Sequence, residues 1–254
     1  MEPVLKVENL TKIFTRKGQP DFTAVDHISF ELFPGECLGL IGESGSGKTT
    51  VVNMITRLVD ATEGSIVLDG DEIIKKSGRD LRNAYQKMQM VFQTPTDSFD
   101  PRCTLGDGIG ESLRNLGMSR SNTRKEVSLL LTECGLTPDF ANRYPHQVSG
   151  GQCQRAAIAR ALAVKPKLLI CDEATSSLDV TIQKEIIALL NELRSHHGSE
   201  LSILFICHDI ALVQQFCNRV LVLYKGKIVE QGIPDEIIHN PQDGYTKRLI
   251  DSIL

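Results

Sequence analysis

The residues Gly42-Glu43-Ser44-Gly45-Ser46-Gly47-Lys48-Thr49-Thr50 combine glycines, a lysine and two threonines at the spacing of a phosphate-binding loop. Glycines let successive backbone N–H groups turn inward around phosphate oxygens, and a helix beginning at the end of the loop adds the positive end of its dipole. In this pattern Lys48 reaches the β- and γ-phosphates of a nucleoside triphosphate, and the Thr49 hydroxyl ligates Mg²⁺. A second group is the run Leu168-Leu169-Ile170-Cys171-Asp172-Glu173, apolar until it ends in two carboxylates. Asp172 is suited to hold Mg²⁺ through its water shell, and Glu173 to polarise the water that attacks the γ-phosphate. Alone, that pair could be a solvated turn; a P-loop upstream gives it chemical work. The third group is Val148-Ser149-Gly150-Gly151-Gln152, where a capping serine and two glycines precede a helix-like stretch from Cys153 to Ala163. It is a second dipole-backed anion site.

These groups need strands and helices to hold them. Cys37-Leu38-Gly39-Leu40-Ile41 reads as a buried strand and Thr49 to Leu58 as a helix, the strand–loop–helix order that a P-loop requires. Upstream, Leu5 to Leu10 and Ile28 to Leu32 are strand candidates for an antiparallel sheet beside the nucleotide, and Pro34-Gly35 turns the chain into the P-loop strand. Gly64 to Gly70 and Met88 to Gln93 are further strands. From Thr104 to about Tyr144 the β-branched runs give way to a helical pattern. Strands return at Lys167 to Asp172, Leu201 to Cys207 and Arg219 to Tyr224, separated by helix-like stretches Thr181 to His196 and Asp209 to Cys217. Such alternation implies a mostly parallel sheet covered on both faces. Lys225-Gly226 then turns the chain into a closing hairpin.

Composition agrees with one globular α/β unit: 254 residues, 41% hydrophobic and 24% charged, with no internal repeat or low-complexity linker. A net charge of −4 argues against a general nucleic-acid or anionic-membrane surface. The longest apolar runs are too short to span a bilayer. The N-terminus lacks the basic and apolar regions of a signal peptide, which predicts a cytosolic chain. Seven cysteines with no Cys-x-x-Cys pair are an odd set for internal disulfides, and Cys37, Cys171 and Cys207 read as small buried apolar residues.

In this order and spacing, Gly42 to Thr50, Val148 to Gln152 and Asp172-Glu173 resemble the ATP-binding-cassette (ABC) ATPases, whose signature is usually Leu-Ser-Gly-Gly-Gln. Valine at 148 replaces leucine but keeps an apolar contact. The resemblance covers essentially the whole chain. It implies a P-loop NTPase α/β fold: a RecA-like, mostly parallel core, an N-terminal antiparallel β subdomain, and an inserted α-helical subdomain over about 96–154. A C-terminal helical extension would cover 231–254. The family pattern assigns Gln93 to the Q-loop, beside Mg²⁺, and Ser177-Leu178-Asp179 to the D-loop, with Asp179 near nucleotide. His208 matches the switch histidine, which joins Glu173 and Gln93 in the catalytic set. Ser149, Gly150, Gly151 and Gln152 would contact the nucleotide of a partner cassette. Phe14 resembles the aromatic that stacks on adenine, with a core aromatic as the lesser alternative. Ala174 stands where the family usually has proline, which makes that turn less rigid and removes no catalytic group.

Two segments point further. Ser98-Phe99-Asp100-Pro101-Arg102-Cys103-Thr104 resembles the Ser-Leu-Asn-Pro-Arg-Met-Thr segment of peptide- and nickel-importer ATPases, with Phe99 and Asp100 departing from the common form. Asn240-Pro241-Gln242-Asp243-Gly244-Tyr245-Thr246 is similar to their Asn-Pro-x-x-Pro-Tyr-Thr segment; an ordinary amphipathic helix is the plainer reading. The resemblance implies an ATP- and Mg²⁺-dependent subunit of a prokaryotic importer of a peptide, nickel or metal chelate. Its implied partners are two transmembrane permeases and a second, non-identical cassette in a head-to-tail dimer. An extracytoplasmic solute-binding protein would be an indirect partner, nucleic acid would not be one, and the subunit would sit on the cytoplasmic face of the inner membrane. The rival is an ABC ATPase of a soluble enzyme complex such as a carbon–phosphorus lyase system.

Overall fold

The computed structural model describes residues 2–15, 18, 20–92, 94, 98–172 and 179–252. In chain order it contains β1 (Leu5–Phe14), β2 (Phe22–Leu32), β3 (Cys37–Ile41), α1 (Lys48–Ile55), β4 (Glu63–Leu68), β5 (Asp71–Glu72), α2 (Gly78–Lys87) and β6 (Met88–Val91). Then come α3 (Leu105–Asn115), α4 (Arg120–Glu133), α5 (Gly150–Leu162), β7 (Leu168–Asp172), α6 (Val180–His197), β8 (Ser202–Ile206) and α7 (Ile210–Phe216). The chain closes with β9 (Arg219–Tyr224), β10 (Lys227–Gly232), α8 (Pro234–His239) and α9 (Gly244–Asp251).

A six-stranded sheet runs in the order β10-β9-β3-β8-β7-β6, parallel except for the β9–β10 hairpin. Its central strands carry apolar residues on both faces, as burial on both sides demands. In β8, Ile203 and Phe205 point into one core while Leu204 and Ile206 point into the other. Leu169 and Cys171 of β7 share the first core, and Leu168 and Ile170 the second. The first core is completed by the helices from α3 onward, the second by α1 and the antiparallel sheet β2-β1-β4-β5. The fold is therefore that of a P-loop ATPase with a flanking antiparallel sheet. Among the described residues no helix is long and apolar enough to cross a membrane.

Between β6 and β7 every described regular element is helical. Thr104 caps α3 by accepting from the Asp107 N–H at 3.1 Å, and Ser119 caps α4 from Asn122 N–H at 3.3 Å. Phe99, one of the departures from the family segment, is buried and lies beneath the Arg160 guanidinium of α5, 4.5 Å from its ring centroid. Arg160 also donates to the Ser98 carbonyl. Burial lowers its pKa, so the ring face and the carbonyl are the compensation for a half-desolvated cation. Asp100, the other departure, folds back on Arg102, which holds its carboxyl down at about 2.

Three elements differ from the sequence pattern. Helix α2 does not figure in the sequence pattern: its apolar stripe of Leu81, Ala84 and Tyr85 is short and set among charged residues, and only Ala84 is buried. β1 and β2 run longer than their apolar segments, since pairing carries them out to Phe14 opposite Phe22.

Candidate functional site

The parallel register brings the chemical residues to one edge. Leu40 pairs with Ile206, Ile206 with Asp172, and Cys171 with Val91. The carboxyl ends of β3, β8, β7 and β6 thus emerge together, and each is followed at once by a candidate: the loop from Gly42, His208, Glu173 after Asp172, and Gln93. This edge is where open parallel sheets bind ligands. Gln93, Glu173, Ser177 and Leu178 themselves lie outside the described residues.

The loop between β3 and α1 has the backbone that phosphate binding needs. Gly42 (φ 152°) and Gly47 (φ 113°) both adopt conformations that side-chain-bearing residues avoid. A Cβ on Gly42 would lie 2.2 Å from the Leu223 carbonyl oxygen, and one on Gly47 2.6 Å from the Ala24 oxygen. Gly47 is also the N-cap of α1, with no side chain to occupy the first N–H groups of the helix. Lys48 begins that helix and is 6% exposed; its ammonium donates to the Gly42 carbonyl at 2.6 Å and the Glu43 carbonyl at 3.0 Å. The lysine is therefore held across the mouth of its own loop. Thr49 is exposed in the first turn of α1, with Thr50 half-buried beside it.

Asp172 ends β7, half-buried, between strands β6 and β8. A threonine hydroxyl and a carboxylate, both oxygen donors, fit Mg²⁺ better than any softer metal. His208 is exposed just beyond β8, and the following Asp209 caps α7 by accepting from the Ala211 N–H at 2.9 Å. Phe14 closes β1 at 36% exposure, outside the buried core, with the Lys12 ammonium 5.0 Å from its ring centroid. One face of the ring therefore lies under the Lys12 ammonium.

The Ser149 segment lies elsewhere, at the start of α5, which packs on α3, α4, α6 and β6. Ser149 accepts from the Gln152 N–H at 3.3 Å, while the Gln152 side chain accepts from the Ser149 N–H at 3.0 Å. This reciprocal capping box fixes the helix start. Val148 packs on the first core, so valine keeps the apolar contact of the usual leucine. Gly151 is required by neighbouring α6, because a Cβ there would meet Ile182 Cγ2 at 2.7 Å. Asp179 caps α6, accepting from the Ile182 N–H at 3.0 Å. Ser149 and Asp179 thus each serve a helix end.

Sequence spacing gave no sign of the groups that grip the P-loop from outside. The Gly226 N–H in the β9–β10 turn donates to the Ser46 carbonyl at 2.8 Å. The Tyr245 hydroxyl accepts from the Glu43 N–H at 3.0 Å. Both partners are far away in sequence, and only the folded hairpin and α9 bring them in.

Residues 25–176 match the family model described as "ABC transporter". The chain is 45% identical over 232 residues to the oligopeptide transport ATP-binding protein OppF of Escherichia coli, covering 91% of this chain and 69% of that one. It is 43% identical to the glutathione import ATP-binding protein GsiA of Pectobacterium atrosepticum, covering 99% of this chain and 41% of that longer protein. Among solved structures, the ATP-binding cassette MJ0796, a dimer in a post-hydrolysis state with ADP and Pi, matches with a TM-score of 0.81 at 30% identity, over 91% of this chain and 98% of that chain. The cassette cbiO1 of Clostridium perfringens, part of the ABC transporter complex cbiONQ, gives 0.84 at 28% identity, over 94% and 92%.

Proposed function

Since this chain belongs to the ABC transporter family as one of its ATP-hydrolysing cassettes, we propose that it powers import of a peptide through two partner permeases. The observation that carries the reading is the shared edge: the P-loop, Asp172 and His208 follow adjacent parallel strands whose register is fixed by pairing. The oligopeptide and glutathione importer relatives favour a peptide over nickel or a metal chelate.

In this reading the P-loop N–H groups and Lys48 bind the β- and γ-phosphates of ATP, and Phe14 stacks on the adenine. Thr49, Asp172 and Gln93 hold Mg²⁺, which when bound neutralises charge on the phosphate oxygens. Glu173 takes the proton of the attacking water, and His208 orients the γ-phosphate. Ser149 to Gln152, with Asp179, approach the nucleotide of a second cassette in a head-to-tail dimer. The MJ0796 relative is itself dimeric. ATP then bridges the two subunits, and loss of the γ-phosphate charge releases them. Moving such an equilibrium from mostly open to mostly closed takes about 5.5 kcal/mol of differential binding, within reach of several charge-assisted hydrogen bonds. The partner cassette is a different chain, the pair docks on the cytoplasmic face of the inner membrane, and an extracytoplasmic binding protein selects the solute.

The test is uptake of a labelled oligopeptide by cells lacking this chain, complemented with wild type or Glu173→Gln. Wild type should restore uptake. Glu173→Gln should bind ATP yet lose hydrolysis by about a hundredfold or more and restore none. Full uptake with Glu173→Gln would refute the catalytic assignment. Uptake of nickel but not peptide by the wild type would refute the substrate class.

A further inference from the structure

The P-loop donates a backbone hydrogen bond to a residue 202 positions away in sequence. Glu43, directly after Gly42, has its N–H turned away from Lys48 and toward α9, where the Tyr245 hydroxyl accepts it at 3.0 Å. The carbonyl of the same residue accepts from the Lys48 ammonium at 3.0 Å and from the Ser46 N–H at 3.1 Å. One residue therefore joins the C-terminal helix to the phosphate-binding lysine.

Tyr245 is itself rigidly held. It is buried, and its ring stacks on Tyr224 with centroids 3.9 Å apart and planes 22° from parallel. Tyr224 ends β9, next to the Lys225-Gly226 turn whose N–H holds the Ser46 carbonyl. Asp243 caps α9 by accepting from the Tyr245 N–H at 2.7 Å. The Glu230 carboxylate of β10 accepts from the Gln242 N–H at 2.8 Å and the Asp243 N–H at 3.0 Å, fixing the approach to the helix. Burial raises the Tyr245 pKa, against the opposing pull of the Glu43 N–H on its oxygen. In the links from α9 to the P-loop, each hydrogen bond has a backbone group on one side, and the Tyr245 ring is held by its stack on Tyr224.

We infer that Tyr245 is a positioning residue for nucleotide binding, bracing the P-loop and through it Lys48 from the C-terminal helix. The inference rests on the ATP-binding reading of the P-loop. Without the hydroxyl, the Glu43 N–H loses its partner in a half-buried turn and the loop relaxes toward conformations in which its other N–H groups no longer converge. The contact is made before nucleotide arrives, so it should act on binding and leave the turnover of bound ATP alone.

Tyr245→Phe keeps the ring, the stack on Tyr224 and the burial, and removes only the acceptor. In the purified full chain, titration with a fluorescent ATP analogue should show affinity weakened about tenfold, the equivalent of about 1.4 kcal/mol. In the assembled transporter KM for ATP should rise by a similar factor, with kcat within about twofold of wild type. A merely structural tyrosine would lower thermal stability without this split. Lys48→Ala, measured alongside, separates the two readings. If Lys48→Ala abolishes binding while Tyr245→Phe stays within about twofold of wild type, the brace is refuted and the P-loop reading stands. If Lys48→Ala binds normally, the P-loop reading falls and takes the brace with it.

Discussion

Two glycines of one loop should respond very differently to the same added methyl group. Gly47 has φ 113° and a backbone oxygen, that of Ala24, 2.6 Å from where a Cβ would sit; Gly45 has φ 80° and no atom within 4 Å. Gly45→Ala therefore costs only the left-handed backbone conformation, about 1–2 kcal/mol. Gly47→Ala adds a collision with a β2 carbonyl that cannot rotate away, about 1–3 kcal/mol more, for a total of about 2–5 kcal/mol. For a chain of this size each kcal/mol shifts the melting midpoint by about 2–4 °C. The assay is thermal and urea unfolding without nucleotide, so that lost ATP binding does not contribute. Gly47→Ala should melt well below Gly45→Ala, with Gly45→Ala only a few degrees below wild type. Equal midpoints, or Gly45→Ala the less stable, would refute the packing of the P-loop against β2.

Thiol accessibility and acid sensitivity give two further tests. Cys103 is the one exposed thiol among the seven, while burial pushes Cys171 and Cys134 up to about 12 and Cys153 to about 11. Iodoacetamide at neutral pH should add one label per native chain by mass spectrometry, all at Cys103; rapid labelling of Cys171 or Cys217 would contradict the packing. Burial pushes the Glu230 carboxyl up, but the Gln242 N–H, the Thr246 hydroxyl and the Asp243 N–H together outweigh it and leave its pKa below the ordinary 4.5. Its stabilising contribution is present above that ordinary value and is lost as pH falls through the lowered folded-state value. Glu230→Gln should thus cost about 1 kcal/mol at pH 7 and nothing once Glu230 is protonated in both states. A cost unchanged between pH 7 and the acid limit, in urea unfolding, would contradict the anchoring of α9.

What was legible in the sequence was what is written locally. The P-loop, the Asp172 strand and the Ser149 cap depend on neighbours within a few residues, and each emerged with the element order that its chemistry requires. The strands of the central sheet announced themselves because burial on both faces demands apolar runs such as Ile203 to Cys207. Helix α2 was missed because its apolar stripe, Leu81, Ala84 and Tyr85, is short, lies among charged residues and buries one alanine. The outer half of β1 was hidden because pairing with β2, rather than apolar alternation, keeps Thr11 to Phe14 extended. Phe99 read as a departure from pattern until its ring was seen beneath Arg160. Tyr245 stood out only through a resemblance, since nothing in its own segment names Glu43 as its partner. Contacts made by tertiary packing leave no periodic trace.

The most direct test of the central claim is to recover this chain, tagged, from gently solubilised native cells in the presence of ATP and identify its companions by mass spectrometry. Two permeases together with a second, different cassette are the predicted result. A soluble enzyme complex with no permease would contradict the transport account, even with the ATPase chemistry intact.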